Sequence, residues 1–161
     1  MKRPTRRVGQ GLRPVEARAP ADGAVLLDTN VVIRAQLDLP LTAEGRAAIE
    51  AAQASGGLLI SVVTAWELAL LARNPESRTG RLFQPDVRTW FQTAMRAPGV
   101  REAPMNAAIT MDSWALPEPI HSDPADRLLI ATARHVRAPL LTRDRTILAY
   151  AEAGHVRAVA C

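Results

Sequence analysis

Cysteine is almost absent from this chain of 161 residues: Cys161 is the only one and stands last, so no intrachain disulfide can form. Nothing therefore points to an oxidising compartment. Long apolar runs are missing too, and no stretch approaches the ~18 apolar residues of a membrane-spanning helix. Arg6-Arg7 could open an export signal, but the following GQGLRPVEARAPADG lacks the apolar core that such a signal requires. The expectation is a cytoplasmic protein with no membrane contact. His121, His135 and His155 are too dispersed for metal-ligand spacing, and Cys161 has no base near it in sequence, which argues against a nucleophilic role. No internal repeat is visible.

What is present is a composition with 48% hydrophobic and 22% charged residues, that of an ordinary globular protein with room for one domain and one active site. The net charge of +4 is unevenly placed. Lys2, Arg3, Arg6, Arg7, Arg13 and Arg18 face only Glu16 and Asp22 within residues 1–22, which accounts for the whole excess. Residues 1–22, with Pro4, Pro14 and Pro20 and no apolar periodicity, read as a basic, disordered arm. Residues 23–161 read as one formally neutral domain, so the high pI describes the arm rather than a basic nucleic-acid-binding face.

Short apolar runs at AVLL (24–27), LLIS (58–61) and PLLT (139–142) have the continuous character of strands buried on both faces. Extended segments are also expected at 100–104 and 155–159. Between them the spacing predicts helices over 30–36, 42–54, 62–73, 85–96, 106–114, 124–135 and 143–150, with Thr42 as an N-cap and Ser55-Gly56-Gly57 as a stop. Alternating strands and helices argue for an α/β/α sandwich on a mainly parallel sheet. The helices over 62–73 and 85–96 carry Trp66, Trp90 and Phe91, which suit a groove for an amphipathic partner helix or, for Trp66 especially, the core.

Four acids stand where these segments begin or end. Asp28 follows the first strand in LLDTN, Glu67 lies in TAWELALL, Asp126 in DPADRLLIATA, and Asp144 follows a strand in LLTRD. Strands deliver ligand-binding residues at their C-terminal ends in open α/β sheets, so the four are aimed at one place. Carboxylates gathered there repel one another unless a cation neutralises them, and an all-oxygen donor set suits Mg²⁺ or Mn²⁺ and phosphoryl transfer. Each acid also has a plainer reading. Asp28 and Asp144 fit helix caps, Glu67 fits a solvent-facing position, and Asp126 fits a capping-box partner behind Asp123-Pro124, the pattern of an N-cap with proline in the first turn. Arg127, Arg143 and Arg145 flank the later acids and either hold phosphate, balance the carboxylates or lie on the surface.

Taken in order, LLDTN, SVVTAWELALL, DPADRLLIATA and LLTRD resemble the four motifs of the PIN domain, in its VapC-type toxin branch, over roughly residues 24–159. The resemblance implies an α/β/α fold, Mg²⁺- or Mn²⁺-dependent endoribonuclease activity, a cognate antitoxin and a homodimer. It places the family's acids on Asp28, Glu67, Asp126 and Asp144, with Asp28 and Asp126 most directly tied to metal. Thr29 and Asn30 fall where a hydroxyl and a small polar residue or histidine give support, with Asp123, Arg127 and Arg143 beside the site. The basic arm departs from the pattern, and reads as an RNA-binding tail, a dimer or antitoxin contact, or an upstream start of the reading frame.

Hydrolysis of this kind leaves a 5′-phosphate and a 3′-hydroxyl. A near-neutral fold around an acidic pocket selects RNA by shape or exposed loops, as in a tRNA or an rRNA, rather than by bulk charge. The competing readings are a PIN nuclease of RNA maturation or DNA flaps, and a non-catalytic metal-binding or interaction module. A HAD-like phosphatase ranks last, because DTN lacks the second aspartate of that motif.

Overall fold

The computed structural model describes residues 23–74, 76, 80–120 and 122–161. The expected arm, residues 1–22, and His121 lie outside the described residues. Five strands, β1 (Val25–Leu27), β2 (Leu58–Ser61), β3 (Val100–Ala103), β4 (Leu140–Thr142) and β5 (Ala158–Ala160), form one parallel sheet in the order β3-β2-β1-β4-β5. Seven helices flank it: α1 (Thr29–Gln36), α2 (Ala43–Ser55), α3 (Val62–Leu71), α4 (Val87–Met95), α5 (Ala107–Trp114), α6 (Pro124–Val136) and α7 (Arg145–Glu152). The expected α/β/α sandwich is the observed fold.

Alternation along the central strands sorts side chains into two cores. Leu26, Leu59 and Leu140 face a core shared with Ala125, Leu129 and Ile130 of α6 and with Ile147 and Tyr150 of α7. Val25, Leu27, Leu58, Ile60 and Leu141 face the other, with Val31 of α1, Ala52 of α2, and Trp90 of α4. Each fully buried leucine contributes about 1.5–3 kcal/mol, so the three-residue strands β1 and β4 are held by packing on both faces more than by their ladders. α3 straddles the division: Val63 packs in the first core and Leu68 in the second.

The helix boundaries follow local chemistry. Thr42, Asp86, Asn106 and Asp123 each accept a hydrogen bond from a backbone N–H in the following turn, and Gly56 closes α2 at φ 68°. α4 thus starts at Val87 rather than 85, because Asp86 takes the cap. The last strand begins at Ala158 rather than 155, since the His155 N–H returns to the Tyr150 carbonyl in the turn that ends α7. Trp66 corrects the sequence expectation: it is 51% exposed, because α3 turns Val63, Thr64 and Leu68 inward.

Candidate acidic site at the sheet switch point

Strand order reverses at β1, which pairs with β2 on one side and β4 on the other, and the crevice beyond the strand ends at such a point is where α/β sheets bind ligands. Asp28 leaves β1 there. Its N–H donates to the Leu141 carbonyl, and its side chain is 6% exposed. Although Asp28 occupies the N-cap position of α1, its carboxylate makes no cap bond; Oδ2 instead accepts from Thr142 Oγ1 at 2.6 Å and from Asn30 Nδ2 at 3.4 Å. Burial pushes the Asp28 carboxyl above its ordinary range, the Thr142 hydroxyl opposes that rise, and the charge of Asp144 adds to it.

Glu67 rides on α3 and is half-buried. Its Oε2 stands 2.5 Å from Thr29 Oγ1, which is 3.2 Å from the fully buried Thr64 Oγ1. A hydroxyl has one proton, so with Glu67 ionised Thr29 donates to it and accepts from Thr64. Burial again raises the carboxyl, the Thr29 hydrogen bond opposes this, and the charges of Asp28 and Asp123 raise it further. The solvent-facing reading of Glu67 does not fit this placement.

Asp144 leaves β4 and caps α7, its Oδ1 accepting from the N–H groups of Thr146 and Ile147 at 2.6 and 3.3 Å. Its own N–H donates to Thr142 Oγ1 at 3.0 Å, so one threonine ties Asp144 to Asp28. Asp123 caps α6 as expected, and Asp126 is the third residue of that helix, half-buried in its first turn. Electrostatics thus link Asp28 with Asp144 and Glu67, and Glu67 with Asp123. Among the described residues, however, no three of His, Cys, Asp or Glu stand close enough together to hold an ion. The donors fit a hard divalent cation in chemistry, being carboxylates and hydroxyls only.

Arg127 drops out of the expected site's periphery, and Cys161, for which no role was expected, lies away from the acids. Arg127 is buried beneath Trp114, donating to the carbonyls of Ser113 and Trp114 at 2.9 and 3.2 Å, and lies 3.7 Å from Glu118. Its guanidinium closes the end of α5 instead of facing the acids or a phosphate. Cys161 is buried behind α2, where burial raises its thiol away from nucleophilic character. Arg143 and Asn30 are exposed beside the acids. Sequence reasoning missed Thr64 and Thr142. The available signal was a hydroxyl ending each apolar run, SVVT and LLT, where an unpartnered polar group is costly to bury.

Comparison with curated protein sequences gives no match. Among solved structures, the chain resembles VapBC2 from Rickettsia felis bound to a promoter DNA fragment, at 13% identity and TM-score 0.62 over 85% of this chain and 98% of that one. It also resembles a toxin–antitoxin complex from Klebsiella pneumoniae, at 22% identity and TM-score 0.51 over 77% and 90%, and FitAcB from Neisseria gonorrhoeae, at 20% and 0.50 over 83% and 95%. These likenesses are of fold. The PIN domain family matches residues 25–153, most of the chain and all four acidic positions, and the chain belongs to that family.

Proposed function

We propose that the protein is a metal-dependent endoribonuclease, the toxin of a toxin–antitoxin pair. The observation that carries this reading is the state of Asp28 and Glu67. Two carboxylates stand at the switch point, burial raises both, the charge of Asp144 adds to the cost of ionising Asp28 and that of Asp28 to the cost of ionising Glu67, and among the described residues neither has an ion pair with lysine or arginine. Breaking or omitting the partner of a buried charge is strongly destabilising, so such a pair calls for a cation from solution. Family membership and the toxin–antitoxin complexes among its structural likenesses support nuclease and toxin.

Asp28 and Asp126 would hold Mg²⁺ or Mn²⁺, with Glu67 and Asp144 completing the carboxylate ring. When bound, the cation supplies an acidified water and positive charge for the scissile phosphate. The chain's residues do the positioning. Thr142 fixes Asp28 against Asp144, Thr29 fixes Glu67, and α6 presents Asp126 from its first turn, beside exposed Asn30 and Arg143 at the substrate's approach. RNA is the substrate and the chain works as a cytoplasmic homodimer, silenced by its antitoxin. One observation favours a non-catalytic module instead: the lack of a three-ligand group among the described residues.

Cleavage of total RNA by the purified, antitoxin-free protein decides between them, with Mg²⁺, with EDTA, and with Asp28→Asn. Discrete cuts ending in 5′-phosphate that need both the metal and Asp28 support the nuclease. No cutting by folded protein in Mg²⁺ moves the assignment to the binding module, and cyclic 2′,3′-phosphate ends refute the hydrolytic mechanism.

A further inference from the structure

The free edge of the sheet at β5 opens into a groove of about 1220 Å³ that contains none of the four acids. It is lined by Leu148 and Ala151 of α7, by Pro139 and β5, and by Arg134, Arg137 and Arg157. All three arginines are exposed, and among the described residues none makes an ion pair. Two are held by the backbone: Arg134 Nη1 donates to the His155 carbonyl at 2.8 Å, and Arg157 Nη2 donates to the Arg137 carbonyl. These bonds fix the guanidinium planes at the groove without neutralising their charge.

The backbone of β5 is also unspent on this side. Leu140 N–H donates to the Arg157 carbonyl and Cys161 N–H to the Thr142 carbonyl, so residues 157, 159 and 161 direct their hydrogen-bonding groups at β4. Ala158 and Ala160 therefore direct theirs outward. Thr42 Oγ1 takes the Ala160 carbonyl at 2.9 Å, and α2 closes over that end because Gly45 has no Cβ; one there would stand 2.5 Å from Cys161 Sγ. Among the described residues, what stays open is the N–H and C=O of Ala158 and the N–H of Ala160.

We infer that this edge is a docking surface for an extended acidic segment of a partner protein, which adds as a strand beside β5 with its carboxylates on Arg134, Arg137 and Arg157. Strand addition draws affinity from main-chain bonds and specificity from side-chain pockets, and both are offered here. Glu44 and Glu152 in its lining oppose any anion, phosphate and carboxylate alike, so a nucleic acid fits less well for another reason: the rest of the lining is largely apolar and the open backbone groups of β5 suit a strand rather than a phosphate chain. The short edge limits the affinity to a modest range and is itself a guard against indiscriminate pairing.

The test titrates the full chain with a fluorescent peptide alternating glutamate and valine, with its lysine–valine counterpart, and with polyuridylate. The glutamate peptide is expected to bind and the lysine peptide not to. Arg134→Glu with Arg157→Glu should weaken binding about tenfold or more. Ala158→Pro, which removes an outward donor and leaves the β4 ladder intact, should do likewise. Binding that is indifferent to both changes would place the peptide elsewhere, on the basic arm for instance, and overturn the inference. So would polyuridylate binding more tightly and displacing the peptide. Each variant's folding is checked by circular dichroism, and the charge reversals alone suffice should the proline variant unfold.

Discussion

Thr142→Val removes one hydroxyl and nothing else of comparable size, at a side chain that is fully buried. The hydroxyl donates to Asp28 and accepts from the Asp144 N–H. A hydrogen bond to a charged group is worth about 1.5–3 kcal/mol net, against roughly 0.5–1.5 kcal/mol for a neutral pair. The loss should therefore be about 2 kcal/mol at a pH high enough to ionise Asp28, and about 1 kcal/mol at a pH low enough to protonate it. The difference means that losing the hydroxyl, which opposes the effect of burial, raises the Asp28 carboxyl further. Urea denaturation of wild type and variant in EDTA at the two pH values measures it, and a thermal melt should fall by roughly 4–8 °C at the higher pH. Equal losses at both pH values would refute the argument, because the hydroxyl would then be serving only as a neutral core partner. A loss confined to acid pH would mean that it supports the protonated carboxyl instead.

Asp28 and Glu67 are both raised in the fold, so the native state binds more protons than the unfolded chain once the pH passes their unfolded values near 4. The stability they contribute is complete below those values and is lost as the pH rises through the folded ones. Metal-free protein should thus denature earlier at about pH 8 than at about pH 5, Asp28→Asn should flatten the difference, and Mn²⁺ at a hundred times its Kd should restore about 2.7 kcal/mol. A midpoint that climbs steadily with pH in EDTA would contradict the burial argument. Trp66→Ala should cost less than about 0.5 kcal/mol, whereas Trp90→Ala, in the core at 6% exposure, should cost about 3–5 kcal/mol by the same denaturation assay. Arg127→Met should cost about 1.5–3 kcal/mol through the carbonyls of Ser113 and Trp114, yet leave Mn²⁺ affinity unchanged; a tenfold weaker affinity would put Arg127 back at the site.

Short, doubly buried strands announce themselves by unbroken apolar runs, and α/β alternation with one parallel sheet was legible from LLIS, PLLT and the helices between them. Caps were legible for the same local reason: Thr42 and Asp123 act within a turn of their own position. The fates of Trp66 and Arg127 were not. A helix that closes the end of a sheet has two inner faces, so the apolar sequence of α3 does not reveal which side Trp66 takes. Arg127 is next to Asp126 in sequence, but successive helical residues point about 100° apart, and its long side chain reaches the end of α5. The Thr64–Thr29 contact and the Thr142–Asp28 bond join residues that are 35 and 114 positions apart, beyond any local pattern.

The straddling position of α3 makes Glu67 a reporter on the whole sandwich. A repacking error under α6 reaches it through Val63, and one under α2 or α4 reaches it through Leu68. Random mutagenesis scored at the acidic crevice should consequently return hits from opposite sides of the sheet, at positions with no contact with each other or with any acid. The map of sensitive residues would then look like two interiors meeting at a hinge pin rather than a shell around a pocket.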